Sequence, residues 1–205
     1  MEQEYNIVIA GVGGLGILTA TRILAEAALI EGKNVMSSEI HGLAQRYGSI
    51  ISTLRIGKVL SPLIKKGSAD LLIGLEPIET LRNIHYLKNN GYLILNLNII
   101  PPPSVAAGLE DYPSIDEILN ALNSVTKYIL KVNALEIAMQ LGQPVLQNTI
   151  LLGMAFSIPG FPLKPESGEL AIRKVFKGRE KIIDPNIKAF KKGREIGESL
   201  IKSLY

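Results

Sequence analysis

The residues best placed to do chemistry are the glycines of Gly11-Val12-Gly13-Gly14-Leu15-Gly16, a GxGxxG string between an apolar run and a stretch with helical spacing. In that setting Gly11 permits a tight turn, and Gly13 leaves no Cβ between the backbone and an approaching phosphate. Gly16 lets the following helix pack close to a sheet. The helix N-terminus then offers free N–H groups and a positive dipole end to an anion. Glu39 lies 23 residues past Gly16, about where a dinucleotide fold places its ribose-binding acid. Three readings fit: an NAD or FAD site, a site for another phosphate-bearing ligand such as coenzyme A, or glycines that only allow tight β-turn-α packing.

A second cluster follows. Residues 39–49 pack Glu39, His41, Gly42, Gln45, Arg46 and Gly48 between two expected strands. Such a loop falls at the carboxyl edge of a parallel sheet, where ligands and partners bind. A local role is the alternative: Arg46 pairs with Glu39 or caps a helix, and His41 is a satisfied loop histidine. The third cluster is Glu76 and Glu79, in the first turn of a helix that begins near Pro77, where acids favour the dipole. Arg82 lies three residues on, within reach of Glu79. His85, Lys65 and Lys66 read as exposed.

Composition narrows the function classes. Of 205 residues, 47% are hydrophobic and 20% charged, which excludes a disordered chain. With no cysteine, the chain can form no disulfide, no thiolate nucleophile and no iron–sulfur cluster of its own. Two histidines, His41 and His85, leave little for a histidine-based metal site. No stretch offers about 20 predominantly apolar residues, and the start of the chain, Met1-Glu2-Gln3-Glu4, lacks a basic leader. The expectation is a cytoplasmic protein with no membrane contact. Residues 161–205 carry 11 basic and 6 acidic side chains, against 11 and 13 in residues 1–160. The basic excess has no interleaved aromatics, so nucleic acid is not an expected partner.

The elements that must hold these clusters are legible as βα units. Strands are expected over residues 5–10, 34–39, 49–56, 70–75, 91–97 and 127–132. Helices are expected over 15–30, 76–89, 148–156, 166–176 and 184–204, and a further one runs from the Asn133 cap to near Gly142. Ser114 and Glu117 form a capping box for another. Pro101, Pro102 and Pro103 force an extended loop. Ile187, Phe190, Ile196, Leu200 and Leu204 make an apolar stripe on the last helix. The expected fold is α/β: a Rossmann-like, mainly parallel sheet with helices on both faces. Residues 1–160 form that domain, and residues 161–205 form a helical tail docked on it.

Taken together, the strings are more specific than any one of them. The sequence resembles the gamma-type domain of the 2-oxoacid:ferredoxin oxidoreductases, and more closely the small subunit of the indolepyruvate type. The family's GxGGQGI appears at residues 11–17, with Leu15 in the glutamine place. SExHGMAQRGGSV appears at 38–50 as SEIHGLAQRYGSI, with Tyr47 for a glycine. SPLI appears at 61–64, and ADxLxxLEPxExLR at 69–82. Tyr112-Pro113, residues 127–138, Asn148-Thr149 and Leu152-Gly153 also fit. The resemblance implies one part of a complex that converts an aryl-pyruvate, coenzyme A and oxidised ferredoxin to an aryl-acetyl coenzyme A, carbon dioxide and reduced ferredoxin. Thiamine diphosphate, magnesium and iron–sulfur clusters are then expected on a large catalytic subunit, with ferredoxin reached through the complex. This chain agrees: it has no Gly-Asp-Gly followed by Asn-Asn to hold the diphosphate, and no cysteine.

On this reading no residue here is catalytic. Gly11, Gly13, Gly14, Gly16, Glu39, His41, Gly42, Gln45, Arg46, Gly48, Glu76 and Glu79 form the expected edge that contacts the partner or coenzyme A. Two other functions remain compatible with the residues: a stand-alone NAD-dependent oxidoreductase using the glycine loop and Glu39, and an assembly or regulatory protein without an enzyme partner.

Overall fold

The computed structural model describes residues 4–41 and 48–204. Strand β1 (Tyr5–Val12) lies inside a six-stranded sheet. Its residues Ile7, Val8, Ile9 and Ala10 are all fully buried, which is why it reads as a continuous apolar run rather than an alternating one. The other strands are β2 (Val35–His41), β3 (Ser49–Ile56), β4 (Ala69–Gly74), β5 (Leu87–Asn96) and β6 (Ile129–Val132), in the order β2-β3-β1-β4-β5-β6.

The β1–β4, β4–β5 and β5–β6 pairings are parallel. Strand β3 is antiparallel to both β1 and β2. The sheet is therefore mixed, with β3 the one reversed strand. A parallel return from β2 would need a crossover of about a dozen residues or more, and only residues 42–48 join the two strands.

Helices cover both faces. On one side, α1 (Ile17–Ile30), α5 (Ala134–Gln140), α6 (Gln147–Ala155), α7 (Pro165–Val175) and α8 (Glu180–Lys202) share a core with Ile7 and Ile9. On the other, α2 (Pro77–Asn83) and α4 (Ile115–Asn123) pack against Val8 and Ala10. This alternation along β1 is the period-two rule of a strand. Helix α6 has Thr149 through Ala155 buried, as the apolar run from Ile150 onward requires. α7 lies on α1, and α8 lies on α6. The hydroxyl of Ser167 and the amide of Lys164 both donate to Glu31 at 2.6 Å, tying the start of α7 to the end of α1.

Several elements differ in extent from expectation. The helix expected over 76–89 stops at Asn83, and a 3-10 turn leads into β5 at Leu87. Asn83 bonds its side chain back to the Glu79 carbonyl, and the Asn89-Asn90-Gly91 run that follows disfavours helix. The three prolines lead into a single helical turn, α3 (Pro103–Ala106). Helix α8 starts at Glu180, so Pro185 lies inside it, and the helix does without the bond an amide there would donate to the Lys181 carbonyl. The Ser114–Glu117 capping box and the Asn133 cap are both formed. Among the described residues, no helix is long and apolar enough to cross a membrane.

Candidate functional site

The glycine string links the carboxyl end of β1 to α1. Gly14 (φ 93°) and Gly16 (φ 76°) adopt left-handed backbone that glycine takes at no cost. Gly16 is the N-cap of α1, which has neither a side-chain cap nor an acid in its first turn. Gly11 serves close packing: a Cβ there would stand 2.9 Å from the Cβ of Leu75, just past β4. The Leu75 amide donates to the Ala10 carbonyl at 2.8 Å, so the β1 and β4 ends are locked together. Gly13 spends its N–H on the carbonyl of Gly48 at 2.8 Å. The third glycine faces another helix rather than the sheet. A Cβ on Gly16 would lie 3.2 Å from Nδ2 of Asn148 in α6, and that amide donates to the Leu15 carbonyl.

Beside this loop lies a cavity of about 300 Å³ between α1 and the helices α6 and α8. Leu15, Thr19, Gln143, Val145 and Asn148 line it, with Thr149 and Asn186 deeper in. Thr149 Oγ1 donates to Asn186 Oδ1 at 2.6 Å, and Asn186 Nδ2 donates to the Ile182 carbonyl. An uncapped helix N-terminus next to a mixed polar and apolar cavity suits a ligand with an anionic end and an apolar body.

Glu76 and Glu79 are inside the protein, at 1% and 3% exposure, and not on its surface. Glu76 caps α2, with Oε2 accepting from the Glu79 amide at 2.9 Å. Its Oε1 accepts from the Tyr112 hydroxyl at 2.6 Å and the Ile100 amide at 3.5 Å, which fixes both ends of the segment after β5. Burial pushes the Glu76 carboxyl above the usual carboxylate range, and the neighbouring Glu79 adds to the rise. The Tyr112, Glu79 and Ile100 donors pull against it. Burial and the Glu76 carboxylate push the Tyr112 phenol well above the usual tyrosine range. Glu79 Oε1 accepts from Arg82 at 2.6 Å, as its spacing predicts. Its Oε2 has no hydrogen-bond partner among the described residues.

Glu39 sits apart. It pairs in register with Ser52 of β3, which in turn pairs with Ile9 of β1. Two strand spacings, about 10 Å, separate it from the glycine strand. A ribose-binding acid needs its strand beside β1, so the strand order corrects that expectation. His41 closes β2 in register with Ile50. Gly42, Gln45, Arg46 and Tyr47 lie outside the described residues. The structure thus joins Gly11, Gly13, Gly14, Gly16 and Gly48 with the helix cap at Glu76, and leaves Glu39 two strands away.

Asn96 is the residue that sequence reasoning missed. It is fully buried at the end of β5. Its amide donates to the Leu75 carbonyl at 3.3 Å and to Gln147 at 3.2 Å, and its Oδ1 accepts from the amides of Ala134 and Asn98. It clamps the β4, β5 and β6 ends to α6. The signal was an asparagine inside the apolar run GYLILNL. Among the described residues no three His, Asp or Glu side chains form a metal-binding group.

A mixed α/β sheet with a glycine loop and a buried capping acid at its carboxyl edge defines the domain. The model of one family, pyruvate ferredoxin/flavodoxin oxidoreductase, matches residues 6–196, and the chain belongs to that family. Indolepyruvate oxidoreductase subunit IorB of Archaeoglobus fulgidus is 47% identical over 93% of this chain and 94% of its own length. The protein of that name from Thermococcus kodakarensis is 39% identical over 97% and 98%. Two solved structures share the fold. The gamma subunit of keto/oxoacid ferredoxin oxidoreductase from Geobacter sulfurreducens has a TM-score of 0.70 at 24% identity, covering 95% of this chain and 99% of that one. The 2-oxoglutarate:ferredoxin oxidoreductase of Magnetococcus marinus has a TM-score of 0.73 at 15% identity. There the match covers 97% of this chain and 32% of the other, a structure with 2-oxoglutarate, coenzyme A and succinyl-CoA bound.

Proposed function

We propose that this chain is the small, non-catalytic subunit of an indolepyruvate:ferredoxin oxidoreductase, acting in the cytoplasm on aryl-pyruvates. The observation that carries the reading is 47% identity, over nearly the full length of both chains, to a protein named indolepyruvate oxidoreductase subunit IorB. Decarboxylation and electron transfer then belong to thiamine diphosphate, its magnesium ion and iron–sulfur clusters on a large catalytic subunit. This chain has no cysteine for a cluster, so no chemical step is assigned to it.

Its own work is positioning and water exclusion. The surface around the glycine loop is the contact face, extended by Glu39, His41, Gly42, Gln45, Arg46 and Gly48. Leu18 in the first turn of α1 and Val145 beside the cavity are exposed apolar side chains there, at 46% and 75%. A partner seated on them would have water excluded from the cofactor site it carries. Glu76, Glu79 and Asn96 hold this edge in shape from beneath. A second reading is favoured by the uncapped α1 N-terminus and its adjoining cavity: these take the phosphate end of coenzyme A, the co-substrate, with Arg46 as charged partner.

The test is Arg46→Ala in the purified complex. Turnover falls with the melting of the isolated subunit unchanged, and a weakened assembly or a raised coenzyme A KM tells the two readings apart. Unchanged turnover, assembly and KM refute the role given to this loop.

A further inference from the structure

A larger cavity, of about 420 Å³, lies at the opposite end of the sheet. Tyr5, at the start of β1, is on its wall, while the glycine loop follows Val12 at the other end of that strand. The two sites are therefore roughly 23 Å apart along the strand. Lys88, Asn90 and Tyr92 of β5 and Lys33 after α1 complete the working wall, and residues 159–162 close it.

The wall depends on a break in the β4–β5 ladder. Ala69 pairs with Leu87 and Leu71 with Tyr92, so Asp70 alone stands opposite the four residues 88–91. Asn90 turns that excursion at φ 58°, the one positive φ outside glycine among the described residues. Asparagine tolerates this conformation better than most. The excursion is fixed in place: Thr126 Oγ1 donates to the Gly91 carbonyl at 2.6 Å, and a Cβ on Gly91 would meet Leu87 at 2.7 Å. Its effect is to bring Lys88 and Asn90 to the cavity.

The acids in the wall are already engaged. Glu4 accepts from Arg55 at 2.8 Å. Asp70 accepts from the Asn6 amide at 2.8 Å and from Lys88 at 2.5 Å. Lys33 pairs with Glu31 at 3.2 Å and donates to the Pro162 carbonyl. An ammonium has three donors, so both lysines keep donor capacity after these contacts. The two flat faces are held by neighbours: Tyr5 stands edge-on to Phe161 at 5.5 Å, and Tyr92 packs on Tyr128 at 5.1 Å. Spare cationic donors beside braced aromatic rings, in a volume typical of small-ligand sites, select a planar anion.

We propose that this cavity binds a small aromatic carboxylate, its ring against Tyr5 and Tyr92 and its carboxylate on Lys33 and Lys88. The site is separate from the carboxyl edge and does not rest on the function proposed above. It joins the first turns of the sheet to the segment that leads into α7, so a ligand there bridges the sheet and the helical layer.

The probe is indole-3-acetate, whose ring fluorescence can be followed because the chain has no tryptophan. Its uncharged twin, indole-3-acetamide, is the control, with the full-length chain in both cases. The acid binds saturably, and the amide binds at least tenfold more weakly. Lys88→Gln and Lys33→Gln each weaken the acid at least tenfold, with melting checked for both, while Lys192→Gln on the exposed side of α8 leaves it unchanged. The proposal is overturned by no saturable binding, by equal binding of acid and amide, or by full competition from inorganic phosphate. It is equally overturned if Asn148→Leu, in the other cavity, abolishes binding that both lysine variants retain.

Discussion

Replacing Gly193 by alanine is the sharpest test of how the helical layer is built. A Cβ at that position would stand 1.9 Å from the Ile150 carbonyl oxygen, and ordinary contact begins near 3.4 Å. The oxygen is main chain and the backbone fixes the Cβ, so no rotamer change relieves the clash. Helices α6 and α8 must part by about 1.5 Å, and fully buried Phe190 beside the contact loses its packing. In a free helix Gly→Ala gains about 1 kcal/mol. Overpacking against rigid backbone costs about 3 kcal/mol or more, so the net effect is a loss of about 2–3 kcal/mol. For a chain of this size that lowers Tm by about 4–12 °C. Urea denaturation followed by circular dichroism measures it, with Ser199→Ala, exposed on the same helix, as the neutral control. A Gly193→Ala protein as stable as the parent refutes the close approach of α8 to α6.

Other expected outcomes follow from the polar contacts. Burial raises the Glu31 carboxyl, but the Ser167 hydroxyl, the Lys164 amide and Lys33 outweigh it, and the net shift is downward. A lowered folded-state value gives stability that is complete above the ordinary carboxylate range and is lost as pH falls through the folded value. Glu31→Gln therefore costs about 1–2 kcal/mol at neutral pH, and in denaturation series the gap to the parent closes in acid. Tyr112→Phe removes the donor to Glu76 and costs about 1.5–3 kcal/mol; a loss below 0.5 kcal/mol in urea melts contradicts the anchoring of the segment after β5. Asn96→Leu strands the Leu75 carbonyl and the Ala134 amide and costs about 3 kcal/mol, read from the same melts.

Much of this architecture was legible because it follows from local rules. Residues 7–10 of β1 are a pure apolar run, Ser114 and Glu117 sit at capping-box spacing, and Asn133 precedes a helix; each is formed. The reversal of β3 was available from loop length alone, since residues 42–48 cannot cross over, yet the alternation of strands and helices pointed to a parallel neighbour. Gly193 and Gly197 were the least legible. Glycine inside a helix reads as a weakness, and only the position of α6 shows that these two let the helices touch. The apolar stripe on α8 was read correctly at Ile187 and Phe190, which are buried, while Ile196, Leu200 and Leu204 only border the core.

At the candidate site the sequence located the glycine loop but not the duties of its parts. Which atom Gly11 avoids depends on β4, and which side chain faces Gly16 depends on α6, 132 residues away. Glu39 looked like a ribose acid because spacing carries no strand order. Glu76 and Glu79 looked like surface acids because a first-turn position says nothing about what packs over the turn. Their burial came from the segment that brings in Tyr112 and Ile100.

The central claim is that this chain works as the small subunit of a larger redox enzyme. Native mass spectrometry of the chain, purified gently and without oxygen from its own cells, tests it most directly. The account predicts a complex with a larger subunit that carries iron, sulfide and thiamine diphosphate, and that reduces ferredoxin when given indolepyruvate and coenzyme A. A chain that arrives alone, or with a bound dinucleotide, contradicts it.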